Sequence, residues 1–151
     1  ANRFVAGFIG SPSMNFVRAG VEVQGEKVYL VAPGFRIRAN AVLGSALKPY
    51  AGKEVWLGVR PEHLGLKGYT TIPEEENVLR GEVEVVEPLG AETEIHVAVN
   101  GTLLVAKVDG HAPVKPGGKV ELLADTQRRP AFDRGADRSI GHAQERAAGA
   151  R

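Results

Sequence analysis

The dipeptide Asn100-Gly101 sits between two runs of strand-like character, and no other feature constrains the fold of this chain as tightly. Upstream, Ile95, Val97 and Val99 alternate with Glu94, His96 and Ala98; downstream comes Leu103-Leu104-Val105-Ala106-Lys107-Val108. A period of two puts one apolar set on a single strand face, and Asn-Gly supplies the positive φ values of a type I′ turn. The segment therefore predicts a β-hairpin. The same punctuation recurs. Phe16-Val17 and Val21-Glu22-Val23 lead through Gly25-Glu26 to Lys27-Val28-Tyr29-Leu30-Val31, and Pro33-Gly34 precedes Phe35-Arg36-Ile37-Arg38. Val83 and Val85 alternate with Glu82 and Glu84 until Pro88 and Gly90 break the pattern, and Lys119 to Leu123 follows the turn Lys115-Pro116-Gly117-Gly118. Helical spacing is confined to residues 3–9, where Phe4 and Phe8 share a face, with a short helical or loop excursion from Ala41 to Tyr50. Eight or so short strands without a long amphipathic helix predict an all-β sandwich or small barrel.

The 151 residues suit one domain, or two small modules sharing a core. Charge divides the chain. Residues 127–151 hold six Arg against Asp133, Asp137 and Glu145, while the rest carries 13 basic and 15 acidic groups. A folded part so close to neutral argues against a surface that tracks phosphates. With no cysteine, disulfide scaffolds and thiolate-ligated zinc are excluded. His63, His96, His111 and His142 show no metal-ligand spacing, and no serine lies in a G-x-S-x-G elbow. Glu92 and Glu94 share a strand side, but a general acid/base pair converges from different elements across a cleft. We expect no catalytic residue and no metal site. Asn100-Gly101-Thr102 matches a glycosylation sequon, which the turn accounts for. The run Glu74-Glu75-Glu76 beside Pro73 reads as an exposed, solvated connector.

Two further blocks narrow the reading. Glu54-Val55-Trp56-Leu57-Gly58-Val59 is a strand that must stop at Arg60-Pro61, because Pro61 fixes its own φ and pushes Arg60 to an extended conformation. Glu62-His63 follows. The second block is Gly81-Glu82-Val83-Glu84-Val85-Val86-Glu87-Pro88-Leu89-Gly90, then Glu92-Thr93-Glu94-Ile95-His96-Val97. In this order they resemble the C-terminal regulatory region of ATP-binding subunits from sugar-importing ABC transporters of the maltose, multiple-sugar or glycerol-3-phosphate type. Asn2 to Phe16 looks like the junction with that family's nucleotide-binding domain. No phosphate-binding loop of the form G-x-x-x-x-G-K-[ST] is present in these residues.

The resemblance implies oligonucleotide-binding-like (OB-like) barrels of the transporter-associated TOBE type, with strands from both chain ends in one barrel. It divides the chain into a junction helix over 1–13, an OB-like regulatory domain over 14–125, and a frayed last strand with a mobile Arg-rich tail over 126–151. Pro130 confines that strand to an edge, since it cannot donate to a ladder. The fragment would bind no cofactor, with ATP and Mg belonging to the full-length subunit. Its partners would be a second copy of the subunit, permease subunits through the missing domain, and a regulatory protein or small ligand, with no nucleic acid, on the cytoplasmic side of the membrane. Arg60 and Glu62 would form a rim salt bridge or, with His63, Glu92 and Glu94, an interface. Trp56 is expected in the core first and at an interface second. The rival from another class is a free-standing OB-fold module that binds oligonucleotide, through Phe35, Arg36 and Arg38, or a small oxyanion.

Overall fold

A computed structural model describes residues 14–74 and 76–125 and the backbone of residues 131–133. The junction helix expected over 1–13 and the tail from 134 onward lie outside the described residues. Ten strands form one branched antiparallel sheet among these residues. The strands are β1 (Asn15–Gln24), β2 (Lys27–Ala32), β3 (Phe35–Arg38), β4 (Glu54–Val59), β5 (Leu64–Leu66), β6 (Asn77–Pro88), β7 (Glu92–Val99), β8 (Thr102–Asp109), β9 (Lys119–Ala124) and β10 (Ala131–Asp133). The expected all-β, OB-like architecture is what forms. The chain path runs β10-β4-β1-β2-β3-β6-β7-β8, with β9 bridging β6 and β5.

Turn chemistry sets the hairpins. Asn100 and Gly101 both have positive φ, 51° and 79°, and they set Val99 opposite Thr102. The excursion after β3 is a helix, α1 (Ala41–Leu47), whose N-cap Asn40 accepts from the Leu43 amide at 2.8 Å. Leu43, Gly44 and Leu47 are its buried face. One core runs under both halves and includes Leu30, Leu47, Leu57, Leu79, Ile95, Val97, Leu104 and Leu122.

β6 joins the halves. Leu79 pairs with Phe35 of β3 and with Leu122 of β9, so these neighbours lie on opposite edges. Glu82 pairs with Ala98 of β7 and with Lys119 of β9. β3 and β7 therefore share one edge of β6 in succession. Two asparagines extend the ladders where strands begin. Asn15 donates its amide to the Val105 carbonyl and accepts from the Val105 N–H, both at 2.8 Å. Asn77 does the same to Ala124, at 2.5 and 3.0 Å. Each side chain acts as a rung of the ladder, which is why both are buried although polar.

The alternation expected at Val83 and Val85 does not hold. A register shift between them lets Val83 pair with Val97 while Val85 pairs with His96. Val83 is buried and Val85 is 45% exposed, because the bulge inserts Glu84 and turns the next residue outward.

Candidate functional site

The residues singled out by sequence fall on β4, on the turn that follows it and on β7. Trp56 stands on the outer face of β4, between the inward Val55 and Leu57, and is half-buried. Its expected place in the core is therefore corrected. Register pairs it with Arg18 of β1, and the guanidinium lies 5.5 Å from the ring centre. Arg18 also reaches Glu54. A cation over an indole face covers much of what the sequence made look like core.

Arg60 closes β4 with φ −75° and ψ 149°, and Pro61 to His63 make a single 3-10 turn. Pro61 is buried, while Arg60 and Glu62 are exposed. The rim salt bridge expected between these two does not form: among the described residues neither is ion-paired. What the motif does is backbone work. The His63 amide donates to the Arg60 carbonyl and the Asp125 amide to the His63 carbonyl, each at 2.9 Å. The turn thereby aims β5 along β9, where Leu64 pairs with Ala124.

Glu92 and Glu94 point outward from β7, as their spacing requires. Glu92 is opposite Asp109, Glu94 is opposite Lys107, and Glu94 lies 3.3 Å from His96. Among the described residues no hydrogen bond or ion pair links these carboxylates to Trp56 or to the Arg60–His63 turn. The candidates are thus not joined into one polar cluster, although the Pro61–His63 turn packs on β8, the neighbour of β7. No cluster of three or more His, Asp or Glu with metal-binding geometry occurs among the described residues.

Sequence reasoning missed the strongest polar constellation. Glu76, read as part of a solvated run, receives the Tyr29 hydroxyl at 2.8 Å and lies 3.6 Å from Arg38 and 4.0 Å from Lys27. Its backbone is left-handed, with φ 51°, and its carbonyl accepts from the Arg38 amide at 2.9 Å. The Tyr29 hydrogen bond, then the Lys27 and Arg38 charges, hold the Glu76 carboxyl below the usual carboxylate range. Arg36 stacks 4.0 Å above the Tyr29 ring and pairs with Glu22 at 3.3 Å. Phe35, expected on an exposed binding face, is in the core. Of the residues the oligonucleotide reading relies on, Arg36 and Arg38 are thus ion-paired and Phe35 is buried. Beside the cluster, a groove of about 670 Å³ runs between α1 and the connector, and its cations Arg38 and Lys48 are paired with Glu76 and Glu26. Only the charge run hinted at this arrangement.

With the geometry in hand, comparison with known proteins assigns the two halves. Residues 10–64 match the family described as the MalK OB fold domain, and residues 73–128 match the TOBE domain. The chain belongs to the MalK-type OB-fold and TOBE family. The Thermococcus litoralis trehalose/maltose import ATP-binding protein MalK is 36% identical over 146 residues, covering 93% of this chain and 38% of the relative. The Cereibacter sphaeroides sn-glycerol-3-phosphate import ATP-binding protein UgpC is 36% identical over 139 residues, covering 88% and 34%. The Agrobacterium fabrum sulfoquinovosyl glycerol transport ATP-binding protein SmoE is 32% identical over 138 residues, covering 91% and 36%. This chain therefore spans little more than a third of the length of these relatives. The molybdate-bound structure of the cytoplasmic protein ModG shares the fold, with a TM-score of 0.57 at 19% identity over 85% of this chain and 99% of that one. The connector carrying Glu76 falls where one family region gives way to the other.

Proposed function

We propose that this OB/TOBE chain is the regulatory and dimerisation region of the ATP-binding subunit of a sugar-importing ABC transporter. The observation that carries the reading is the consecutive pair of family domains on one continuous sheet, in a chain similar to relatives named as import or transport ATP-binding proteins. The chemistry of ATP and Mg belongs to parts of such a subunit that these 151 residues do not include, since no phosphate-binding loop occurs in them. This chain supplies shape. Two copies held together by their regulatory regions keep the paired ATP sites at high effective concentration while they open and close. Permease subunits and the cytoplasmic face of the membrane complete the setting, and among the described residues no helix is long and apolar enough to cross a bilayer. Engagement of Arg36 and Arg38 by carboxylates speaks against the oligonucleotide rival.

A chimaera tests the reading. This chain would replace the matching part of the Thermococcus litoralis MalK, and ATP hydrolysis would be measured with its transporter. Retained, substrate-stimulated hydrolysis is expected. A chimaera that folds and binds ATP but neither pairs nor responds to transport substrate would refute it.

A further inference from the structure

Both halves carry surface ion pairs, such as Arg80 with Glu121 in the second, but one sheet face keeps several charges without them. In the first half Arg18, Arg36, Arg38 and Lys48 each reach a carboxylate. On the outer face of β6, β7 and β8, register aligns three rows: Glu82–Ala98–Leu103, Val85–His96–Val105 and Glu87–Glu94–Lys107. His96 stands at the middle of this face, held by Glu94 at 3.3 Å, with apolar side chains around it. Val85 and Leu103 are 45% and 50% exposed, and Ala98 and Val105 are half-buried between them. A shallow groove of about 550 Å³ continues from Ala98 across Glu82 to Lys119 and Val120. Among the described residues Glu82, Glu87, Glu92, Lys107 and Lys119 make no ion pair.

We propose that this outer face docks another protein through a surface bearing both basic and apolar side chains. An exposed apolar strip ringed by unpaired charge is what an interface core and rim present before association. The sign of the charge selects the occupant. Glu82, Glu87, Glu92, Glu94 and Asp109 outnumber Lys107 and Lys119, so a second copy would meet its own sign, and nucleic acid or an anionic membrane would be repelled. A basic partner gains both steering and cover for Leu103 and Val85. The inference goes beyond the transporter reading, which assigns no face to a regulator.

The probe is a strand-forming peptide that alternates lysine with leucine, compared with its glutamate–leucine counterpart, added to the 151-residue chain under NMR. Amide shifts should concentrate at Val85, Ala98, Leu103 and Val105, and affinity should fall roughly tenfold as salt rises to screening concentrations. The double variant Glu87→Lys with Glu94→Lys should weaken the lysine peptide about tenfold or more. Equal binding of both peptides, or shifts spread over the first half, would overturn the proposal. The self-association arm uses Leu103→Lys, which should leave the sedimentation coefficient unchanged. A dimer that falls apart on that substitution would give the face to a second copy and sink the idea.

Discussion

The first half of the sheet, β1 to β4, and the second, β6 to β9, share a core but differ on the outside. Outside the first half, aromatic rings lie under arginines: Arg18 over Trp56, Arg36 over Tyr29. Those arginines are in turn held by Glu54 and Glu22. Outside the second half, Val85 and Leu103 stand open among carboxylates. On the first surface arginines lie over the aromatic rings, and on the second Val85 and Leu103 are exposed. One fold thus carries two outer faces of different chemistry.

The sharpest break in the comparison would come from β4, whose neighbours face opposite ways. Leu57→Ala empties a fully buried site and should cost about 2–5 kcal/mol in a denaturant melt. Trp56→Ala, on the arginine-covered face, should cost only about 1–2 kcal/mol despite the larger ring, because water already reaches part of it. Equal losses would mean that the outer face of the first half is as much core as the inner. Next in size is the join between the connector and β9. Asn77→Ala strands the buried amide and carbonyl of Ala124 and should cost about 2–3 kcal/mol. A loss below about 0.5 kcal/mol would show that the ladder closes without that side chain.

Smaller, and closer to the contrast itself, is a pair of surface truncations. Arg36→Ala removes a stacked and paired cation and should cost about 1 kcal/mol. Lys107→Ala, which has no ion pair among the described residues, should stay within about 0.5 kcal/mol of the parent in the same thermal melts. If Lys107 proved the costlier residue, the second half would not be the open one.

Periodicity and turn residues made most of this fold legible. Asn100-Gly101, Pro33-Gly34 and the Arg60-Pro61 stop act through local dihedral preferences, so each is visible in a few residues. What the sequence hid was set by pairing across distance. The bulge at Glu84 depends on how β6 meets β7 and is invisible in the regular alternation of Glu82 to Val85. Trp56 reads as core because it is large, and only the register with Arg18 shows how its outer face is covered. Asn15 and Asn77 are unremarkable letters until Val105 and Ala124, at sequence separations of 90 and 47, need a rung. Arg60, Glu62, Glu92 and Glu94 were legible as surface groups, and Trp56 was not.

The smallest effect concerns the connector between the halves, and its signature is pH. Glu76 reaches Tyr29, Lys27 and Arg38, and the Tyr29 hydrogen bond leads in holding its carboxyl below the ordinary value of 4.5. A group whose folded value is depressed contributes stability that is present above its unfolded value and is lost as pH falls through the folded one. The parent chain should therefore melt higher than Glu76→Gln at neutral pH. The gap should hold down to about pH 4.5 and close below it, as the carboxylate takes up a proton in the folded chain as well. Because Glu76 is more than a third exposed, raising the salt should shrink the neutral-pH gap. Asp109 and Glu121, depressed by His111 and by Lys67 with Arg80, add the same sign to the acid limb of both proteins and cancel in the difference. A gap that persisted unchanged into acid would mean that the glutamine disturbs the left-handed backbone at residue 76, leaving the carboxylate without a part in fastening the connector to the first half.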